Sequence, residues 1–170
     1  DETGVRCEKK TSWVHSLSTA LFTLYFFHPK RGNEAMDAMG ILPFFKRILV
    51  HDRWASYYKY LCTHALCNSH LLRDLKFMHE EMGRQWAEKI KILLQRANAR
   101  KNEGNITPHF QTRIRNQIRE IVNKALKKEP KEKYQEGRRG RIPKGKAICL
   151  LEVFRDRLDE VLLFLYRENV

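Results

Sequence analysis

A short apolar run ends in a carboxylate at Arg47-Ile48-Leu49-Val50-His51-Asp52. A wholly apolar run of this length indicates a buried strand in a sheet that is covered on both faces. The segment from Leu61 to Leu66 predicts one more short strand. Ligands of open α/β sheets bind beyond the carboxyl ends of the strands. Asp52 is therefore predicted to stand at a ligand-binding edge.

Three strands are predicted before this run, in the first part of the chain. They are rich in aromatic and β-branched side chains, and they cover Val5–Cys7, Trp13–Leu17 and Leu21–Phe27. Residues 8–10 supply a polar turn, so the segment predicts an antiparallel meander. Asp1 stands at the start of the first strand. If that strand and the 48–51 strand are parallel neighbours, the carboxylates of Asp1 and Asp52 gather near one end of the sheet.

Helical periodicity dominates the rest of the chain. Asn33 is expected to cap a short helix, and apolar side chains recur at helical spacing from Ser69 onward. Thr107 and Pro108 are expected to begin a long helix as its N-cap and its first residue. A last amphipathic helix is predicted over residues 148–165.

The order of these elements predicts the α/β class, with a mixed sheet flanked by helices. The sheet would hold three antiparallel strands and further parallel strands. Its core is predicted to comprise residues 1–95 and 147–170. Residues 96–146 are predicted to form a basic helical insertion, in which residues 129–146, rich in Pro, Gly, Lys and Arg, form a mobile loop.

The positive charge of the chain is concentrated in that insertion. The net charge is +13, and residues 96–146 hold 16 of the 33 Lys and Arg but only 5 of the 20 Asp and Glu. Aromatic residues are scarce there, so phosphate contact is a simpler expectation than base stacking. The predicted DNA contacts are Arg113, Arg115, Arg119, Lys124, Lys127, Lys128, Arg138, Arg139, Arg141 and Lys144. A solvated basic surface without a partner is the alternative.

Some classes of protein are excluded by the sequence. No stretch of about 18 uninterrupted apolar residues is present, so no membrane span is expected. The N-terminus, Asp1-Glu2-Thr3-Gly4, has no signal-peptide pattern, and a chain that does not begin with Met is expected to be a fragment. Four cysteines in a chain without an export signal are expected to be reduced, which predicts a cytoplasmic location.

Two carboxylates at one sheet edge repel each other unless a cation joins them. Mg²⁺ takes oxygen ligands and keeps waters for substrate phosphates, and two such ions about 4 Å apart can act on a phosphodiester. Asp1 and Asp52 are therefore candidate ligands of a magnesium site. Two ordinary strand-end acids are the alternative, which the spacing alone favours.

Four potential zinc ligands lie close together in the sequence: Cys62, His64, Cys67 and His70. Their C-x-H-x₂-C-x₂-H spacing matches no standard zinc finger, and a strand would direct Cys67 away from Cys62 and His64. Buried thiols beside a hydrogen-bonded His70 are the favoured interpretation, and zinc is the alternative. The aromatic residues between 54 and 60 are expected either to pack in the core or to contact DNA.

An ordered series of blocks resembles one family, the bacterial DDE transposases of insertion-sequence family sixty-six. The blocks are Asp1-Glu2-Thr3-Gly4, His28-Pro29-Lys30-Arg31-Gly32, residues 35–43, Leu49-Val50-His51-Asp52-Arg53-Trp54, residues 64–75 and residues 137–144. Residues 1–80 match densely, whereas residues 81–136 match only in character.

The resemblance implies a ribonuclease H-like core that uses a DDE triad of acids. It identifies the chain as a central fragment of the catalytic domain. Asp1 would be the first acid and metal ligand, and Asp52 the second. Cys67 and His70 look like the C/D-x-x-H element of such transposases, which implies structural support near the active site.

The resemblance places the third acid of the triad, a Glu, beyond the position of Val170. Neither Glu160 nor Glu168 lies in the family's Glu motif. The implied consequence is that this chain is inactive alone, and that two Mg²⁺ ions are expected only in the complete enzyme. Arg53 also departs from the family, because Gly often stands at that position.

The implied function is cleavage and joining of DNA phosphodiesters during transposition of an insertion sequence. The implied partners are DNA, further copies of the chain assembled on DNA, and other proteins of the same element, at the bacterial nucleoid. The alternative function is a non-catalytic DNA-binding module that uses residues 96–146.

Overall fold

The structure, a computed structural model, describes residues 1–130, 144–168 and 170. The described residues form two compact units, Asp1–Cys67 and Asn68–Val170. The first holds all of the described strands, and the second is helical. The chain is thus a mixed α/β protein, as the sequence predicts. The predicted boundary at residue 96 falls inside a helix, Gln85–Asn102.

The first unit begins with a three-stranded antiparallel sheet. Its strands are β1 (Glu2–Cys7), β2 (Lys10–Ser18) and β3 (Thr23–His28), in the order β1-β2-β3. The β1–β2 turn has Glu8 at φ 47° and Lys9 at φ 64°, and two left-handed residues match the twist of a tight hairpin. The predicted meander is confirmed.

A second sheet pairs β4 (Ile48–His51) with β5 (Thr63–Leu66) in parallel. Both predicted strands are confirmed, but β4 is not covered on both faces as expected, because Val50 is 50% exposed. In the described residues, however, β1 pairs only with β2, and β4 only with β5. The prediction that β1 and β4 are neighbours in one sheet is therefore wrong. An apolar run indicates a strand, but it carries no information on the strand's partner.

The rest of this unit packs around a small apolar core. Helix α1 (Asn33–Ala38) and two 3₁₀ turns, Leu42–Phe44 and Ala55–Lys59, surround it. Its buried members are Met36, Leu42, Leu49, Tyr57 and Tyr60. Tyr57 and Tyr60 thus fill the core, whereas Tyr58 is half-buried against His51 and His64.

The predicted cap of α1 is wrong by one residue. Gly32, at φ 95°, occupies the N-cap position, and Asn33 is the first helical residue. The Asn33 side chain instead donates a 2.9 Å hydrogen bond from Nδ2 to the carbonyl oxygen of Ser56. Sequence cannot reveal this, because the competing acceptor is distant along the chain.

The second unit is a stack of helices. They are α2 (Asn68–Glu80), α3 (Gln85–Asn102), α4 (Pro108–Lys128), α5 (Lys146–Asp156) and α6 (Leu158–Val161), followed by a 3₁₀ turn, Leu163–Leu165. Helix α2 packs on α3, α3 on α4, and α4 on α5. The predicted start of α4 is confirmed, because Oγ1 of Thr107 accepts a 3.2 Å hydrogen bond from the amide of Phe110.

The predicted last helix is interrupted. Arg157, at φ −127° and ψ 25°, separates α5 from α6, so residues 148–165 are not one helix. Most of the predicted mobile loop, residues 131–143, lies outside the described residues. None of the described helices is long and apolar enough to cross a membrane. All four cysteines lie in the described ranges, and none forms a disulfide.

Candidate functional site

Asp52 follows β4 at a sharp change of chain direction. Arg53 has φ 72°, and the amide of Trp54 donates a 2.9 Å hydrogen bond to Oδ1 of Asp52. Such Asx turns hold the carboxylate against its own backbone. Oδ2 is the oxygen that this turn does not use, and the residue is half-buried.

Asp1 lies at the start of β1, opposite Ser16 of β2. The amide of Ser16 donates a 2.8 Å hydrogen bond to the Asp1 carbonyl oxygen, and the Asp1 amino group donates at 3.1 Å to the Ser16 carbonyl oxygen. These bonds fix the backbone of Asp1, whereas the residue as a whole is exposed.

Glu2, the next residue, is the buried acid of the first unit. Its side chain is 2% exposed, and Oε1 accepts a 2.6 Å hydrogen bond from the hydroxyl of Tyr57. Arg31 lies 3.4 Å from Oε2, and Nδ1 of His15 lies 4.0 Å from Oε1. A buried carboxylate needs such partners, because an unpaired buried charge is costly.

The guanidinium of Arg31 is held between two indoles. Its Cζ lies 4.2 Å from the ring centroid of Trp54 and 5.0 Å from that of Trp13. Both distances are within the range of cation–π attraction. Two glycines lie beside these rings, and a Cβ added to either would be at ordinary contact distance. A Cβ on Gly4 would come 3.4 Å from the Trp13 ring, and one on Gly32 would come 3.5 Å from Trp54.

Tyr57 connects Glu2 to the segment that follows Asp52. Burial raises the pKa of its hydroxyl well above the ordinary value, and the hydrogen bond to Glu2 and the negative charges of Glu2 and Asp52 raise it further. The neutral phenol is therefore the stable form, and it acts as the donor to Glu2.

Two histidines form a directed hydrogen-bond chain beside Asp52. Nδ1 of His51 accepts from the amide of Arg53 at 3.1 Å, so the neutral ring carries its proton on Nε2. That nitrogen then donates to Nδ1 of His64 at 3.0 Å, and Nε2 of His64 donates to the Tyr60 carbonyl oxygen at 3.1 Å. The chain fixes both tautomers and joins β4 to β5.

The predicted metal ligands are not assembled into a closed site. Among the described residues, no group of three or more His, Cys, Asp or Glu side chains is placed to hold a metal ion. This applies to the zinc candidates too, although Sγ of Cys62 lies 4.0 Å from Nε2 of His64. Carboxylate oxygens of Asp1 and Asp52 are the ligand type that Mg²⁺ takes with one or two carboxylates and several waters. The two acids match a magnesium site in ligand type, and they adjoin strands of different sheets.

Cys67 and His70 have different surroundings. The amide of Cys67 donates a 2.8 Å hydrogen bond to the His51 carbonyl oxygen, which fixes the end of β5 beside the end of β4. Nδ1 of His70 is buried and has no hydrogen-bond partner in the described part of the chain. The expected hydrogen bond of His70 is therefore missing at this atom.

Helix α4 carries the described part of the predicted DNA surface except Lys144, which precedes α5. Arg113, Arg119, Lys127 and Lys128 are exposed and have no ion pair with a described residue. Three other predicted contacts already have acidic partners: Arg115 pairs with Asp159, Lys124 with Glu120, and Lys144 with Glu152. Arg138, Arg139 and Arg141 lie outside the described residues.

A model of the transposase IS66 family matches residues 1–170. The chain belongs to the IS66 family of transposases. This confirms the resemblance. Comparison with curated proteins and comparison with solved structures give no match.

The sequence predictions for this IS66-family chain missed Glu2, Tyr57 and Arg31 as a connected group. Glu2 was hidden by its position beside Asp1, a more obvious candidate. The partner Tyr57 is far along the chain, so no local pattern could identify it.

Proposed function

We propose that the chain is part of a transposase that cleaves and joins DNA phosphodiesters with two metal ions. The match of the family to residues 1–170 carries this proposal. We also propose a ribonuclease H-like arrangement for its catalytic core. Support comes from the antiparallel β1-β2-β3 meander and from Asp52 at the carboxyl end of a parallel strand pair, where α/β sheets bind ligands.

In this proposal Asp1 and Asp52 are the first two acids of a DDE triad. They would hold the Mg²⁺ ions, which supply activation of the attacking hydroxyl and stabilisation of charge at phosphorus. The Trp54 amide orients the Asp52 carboxylate, and the backbone bonds to Ser16 hold Asp1. The third acid is not assigned to Glu160, which pairs with Arg157, or to Glu168. We therefore propose that this chain is inactive alone.

Titration of the whole chain with Mn²⁺, a paramagnetic substitute for Mg²⁺, tests the proposed site. Binding is followed by relaxation of water protons. Asp1→Asn and Asp52→Asn should each weaken binding about tenfold or more, because each removes one charged ligand. Glu81→Gln removes an equal charge from an exposed position on another part of the chain and should leave the affinity unchanged. Equal affinity in all four proteins would contradict the metal site.

A second candidate function is DNA binding without catalysis. The exposed cations of α4 favour it, because Arg113 and Lys127 lie 14 residues apart, close to four helical turns, on one side of the helix. Affinity for duplex DNA should fall steeply with salt and hardly depend on sequence. If DNA binding survives in the Asp1→Asn/Asp52→Asn double variant and no Mn²⁺ binds to the unaltered chain, this function is the better account.

The proposed partners follow from the same chemistry. DNA is the substrate, and several copies of the chain would assemble on it together with other proteins of the element. A cytoplasmic, nucleoid-associated location is part of this proposal. Cys67 would support the site through its backbone bond to His51, next to Asp52, and His70 follows it on α2.

A further inference from the structure

Glu2 is almost completely buried, although it is the first residue of a strand. Its side chain is 2% exposed and its two oxygens face three different elements: the 3₁₀ turn through Tyr57, the β3–α1 connection through Arg31, and β2 through His15. A charged acceptor at 2.6 Å from a hydroxyl makes one of the stronger hydrogen bonds of a protein. The contact is therefore a firm link within the first unit.

The other end of that link is itself fixed. The 3₁₀ turn Ala55–Lys59 begins directly after the Asx turn of Asp52. Asn33 holds this turn through the Ser56 carbonyl oxygen, and the ring of Tyr57 packs 4.8 Å from that of His51. A shift of Tyr57 would therefore move His51 and, with it, Asp52, the next residue in the chain.

We infer that Glu2 and Tyr57 are positioning residues that set the separation of Asp1 and Asp52, and thereby the affinity of these two acids for a divalent cation. Glu2 is bonded directly to Asp1 along the chain, and Tyr57 lies in the turn that follows Asp52. Their hydrogen bond joins the two acid-bearing segments, which belong to different sheets. This inference rests on the proposed function.

Glu2 itself is not inferred to bind the cation. Both of its oxygens already face donors, and a metal ion there would have to displace the Tyr57 hydroxyl and the Arg31 guanidinium. Loss of a group that is hydrogen-bonded directly to a metal ligand costs about 10–100-fold in metal affinity. Glu2 and Tyr57 act one step further from the ligands, through the backbone, so we expect an effect at the lower end of this range.

Mn²⁺ titration of the whole chain tests the inference with Tyr57→Phe, which removes only the hydroxyl. We expect Mn²⁺ affinity to fall about tenfold. Tyr60→Phe is the matched control, because Tyr60 follows the same 3₁₀ turn, is buried, and donates a comparable 2.9 Å hydrogen bond to Asp37 instead of Glu2. This control should keep the affinity of the unaltered chain. Urea unfolding of both variants measures the structural cost separately.

A second variant, Glu2→Gln, keeps the size of the side chain but removes its charge. The amide oxygen of Gln still accepts from the Tyr57 hydroxyl but lacks the charge that strengthens the bond, so Mn²⁺ binding should weaken by less than in Tyr57→Phe. The Glu2→Gln/Tyr57→Phe double variant should lose little more than Tyr57→Phe alone, because both changes act on the same hydrogen bond. If Tyr57→Phe does not fold, Glu2→Gln decides the question by the same affinity measurement.

The outcomes separate this inference from the proposed function. If Asp52→Asn abolishes Mn²⁺ binding while Tyr57→Phe and Glu2→Gln bind as the unaltered chain does, the metal site stands and the positioning role is overturned. Equal losses in Tyr57→Phe and Tyr60→Phe would also overturn it, since they would show general loosening of the turn. Absence of Mn²⁺ binding in the unaltered chain would overturn both the site and its positioning.

Discussion

The backbone amide of Arg53 donates a 3.1 Å hydrogen bond to Nδ1 of His51 while Arg53 itself has φ 72°. The left-handed conformation turns the chain after β4 so that Trp54 can donate to Asp52. A residue with a Cβ is disfavoured there by about 1–2 kcal/mol. The structure thus gives a physical reason for the Gly that the resemblance led us to expect at this position.

Relief of the left-handed strain in Arg53→Gly should contribute roughly 0.5 kcal/mol to the stability of the chain, from which the loss of the Arg53 side-chain interactions is subtracted. Removal of left-handed strain favours the fold, and the greater freedom of an unfolded Gly offsets part of the gain. Urea unfolding measures the change. Lys9→Gly, at φ 64° in the exposed β1–β2 turn, is the control for strain alone. A loss of stability at residue 53 with a gain at residue 9 would show that the Arg53 side chain contributes more than its strain costs.

Alkaline pH should destabilise the first unit through Tyr57 and Tyr60. Burial and the hydrogen bond to Asp37 raise the pKa of Tyr60 to about 12, and the pKa of Tyr57 is raised even further by burial and Glu2. A raised pKa means that the folded state holds its proton more tightly. The stabilisation is complete below the unfolded value, about 10, and is lost as pH rises through the folded values.

Urea unfolding at a series of pH values from about 9 to about 11.5 checks this, because the window spans the ordinary tyrosine pKa. The unaltered chain should lose stability above pH ~10 more steeply than the Tyr57→Phe/Tyr60→Phe double variant, which has no such protons to lose. Parallel pH curves for the two proteins would contradict the prediction.

Arg31→Lys should cost roughly 1 kcal/mol of unfolding free energy, the size of a partly exposed cation–π contact. Lysine keeps the charge but lacks the planar group that lies against both Trp54 and Trp13. Unfolding followed by tryptophan fluorescence is a suitable measurement, because Trp13 and Trp54, two of the three tryptophans, flank the Arg31 guanidinium. Arg47→Lys, at an exposed position, should change stability by less than about 0.5 kcal/mol. Equal effects would show that stacking on the indoles contributes nothing.

Local patterns were sufficient for the elements whose causes are local. The hairpin strands, the Ile48–His51 strand and the Thr107 cap each depend on residues within a few positions, and each was predicted correctly. Two of the failures involve distant partners. The acceptor of Asn33 is Ser56, and β4 pairs with β5 rather than β1.

The residues of the candidate site also differ in whether sequence could identify them. A carboxylate directly after a buried strand can be recognised from sequence, so Asp52 was an obvious candidate. The buried role of Glu2 depends on Tyr57 and Arg31, which approach it only after the sheet and the 3₁₀ turn have formed. Residue type and spacing along the chain contain no record of such contacts.

DNA binding should depend on the two cations that share the exposed side of α4. Arg113 and Lys127 are separated by about 21 Å along the helix axis, at 1.5 Å per residue, and neither has an acidic partner among the described residues. Arg113→Ala/Lys127→Ala should reduce the slope of log affinity against log salt by about 2, because each phosphate contact contributes about 0.9. Fluorescence anisotropy of labelled duplex DNA at several salt concentrations measures this slope.

Arg6→Ala/Lys10→Ala removes the same charge from exposed positions in the β1–β2 hairpin, and it should leave the slope nearly unchanged. If both double variants lower the slope equally, net charge rather than α4 determines the affinity.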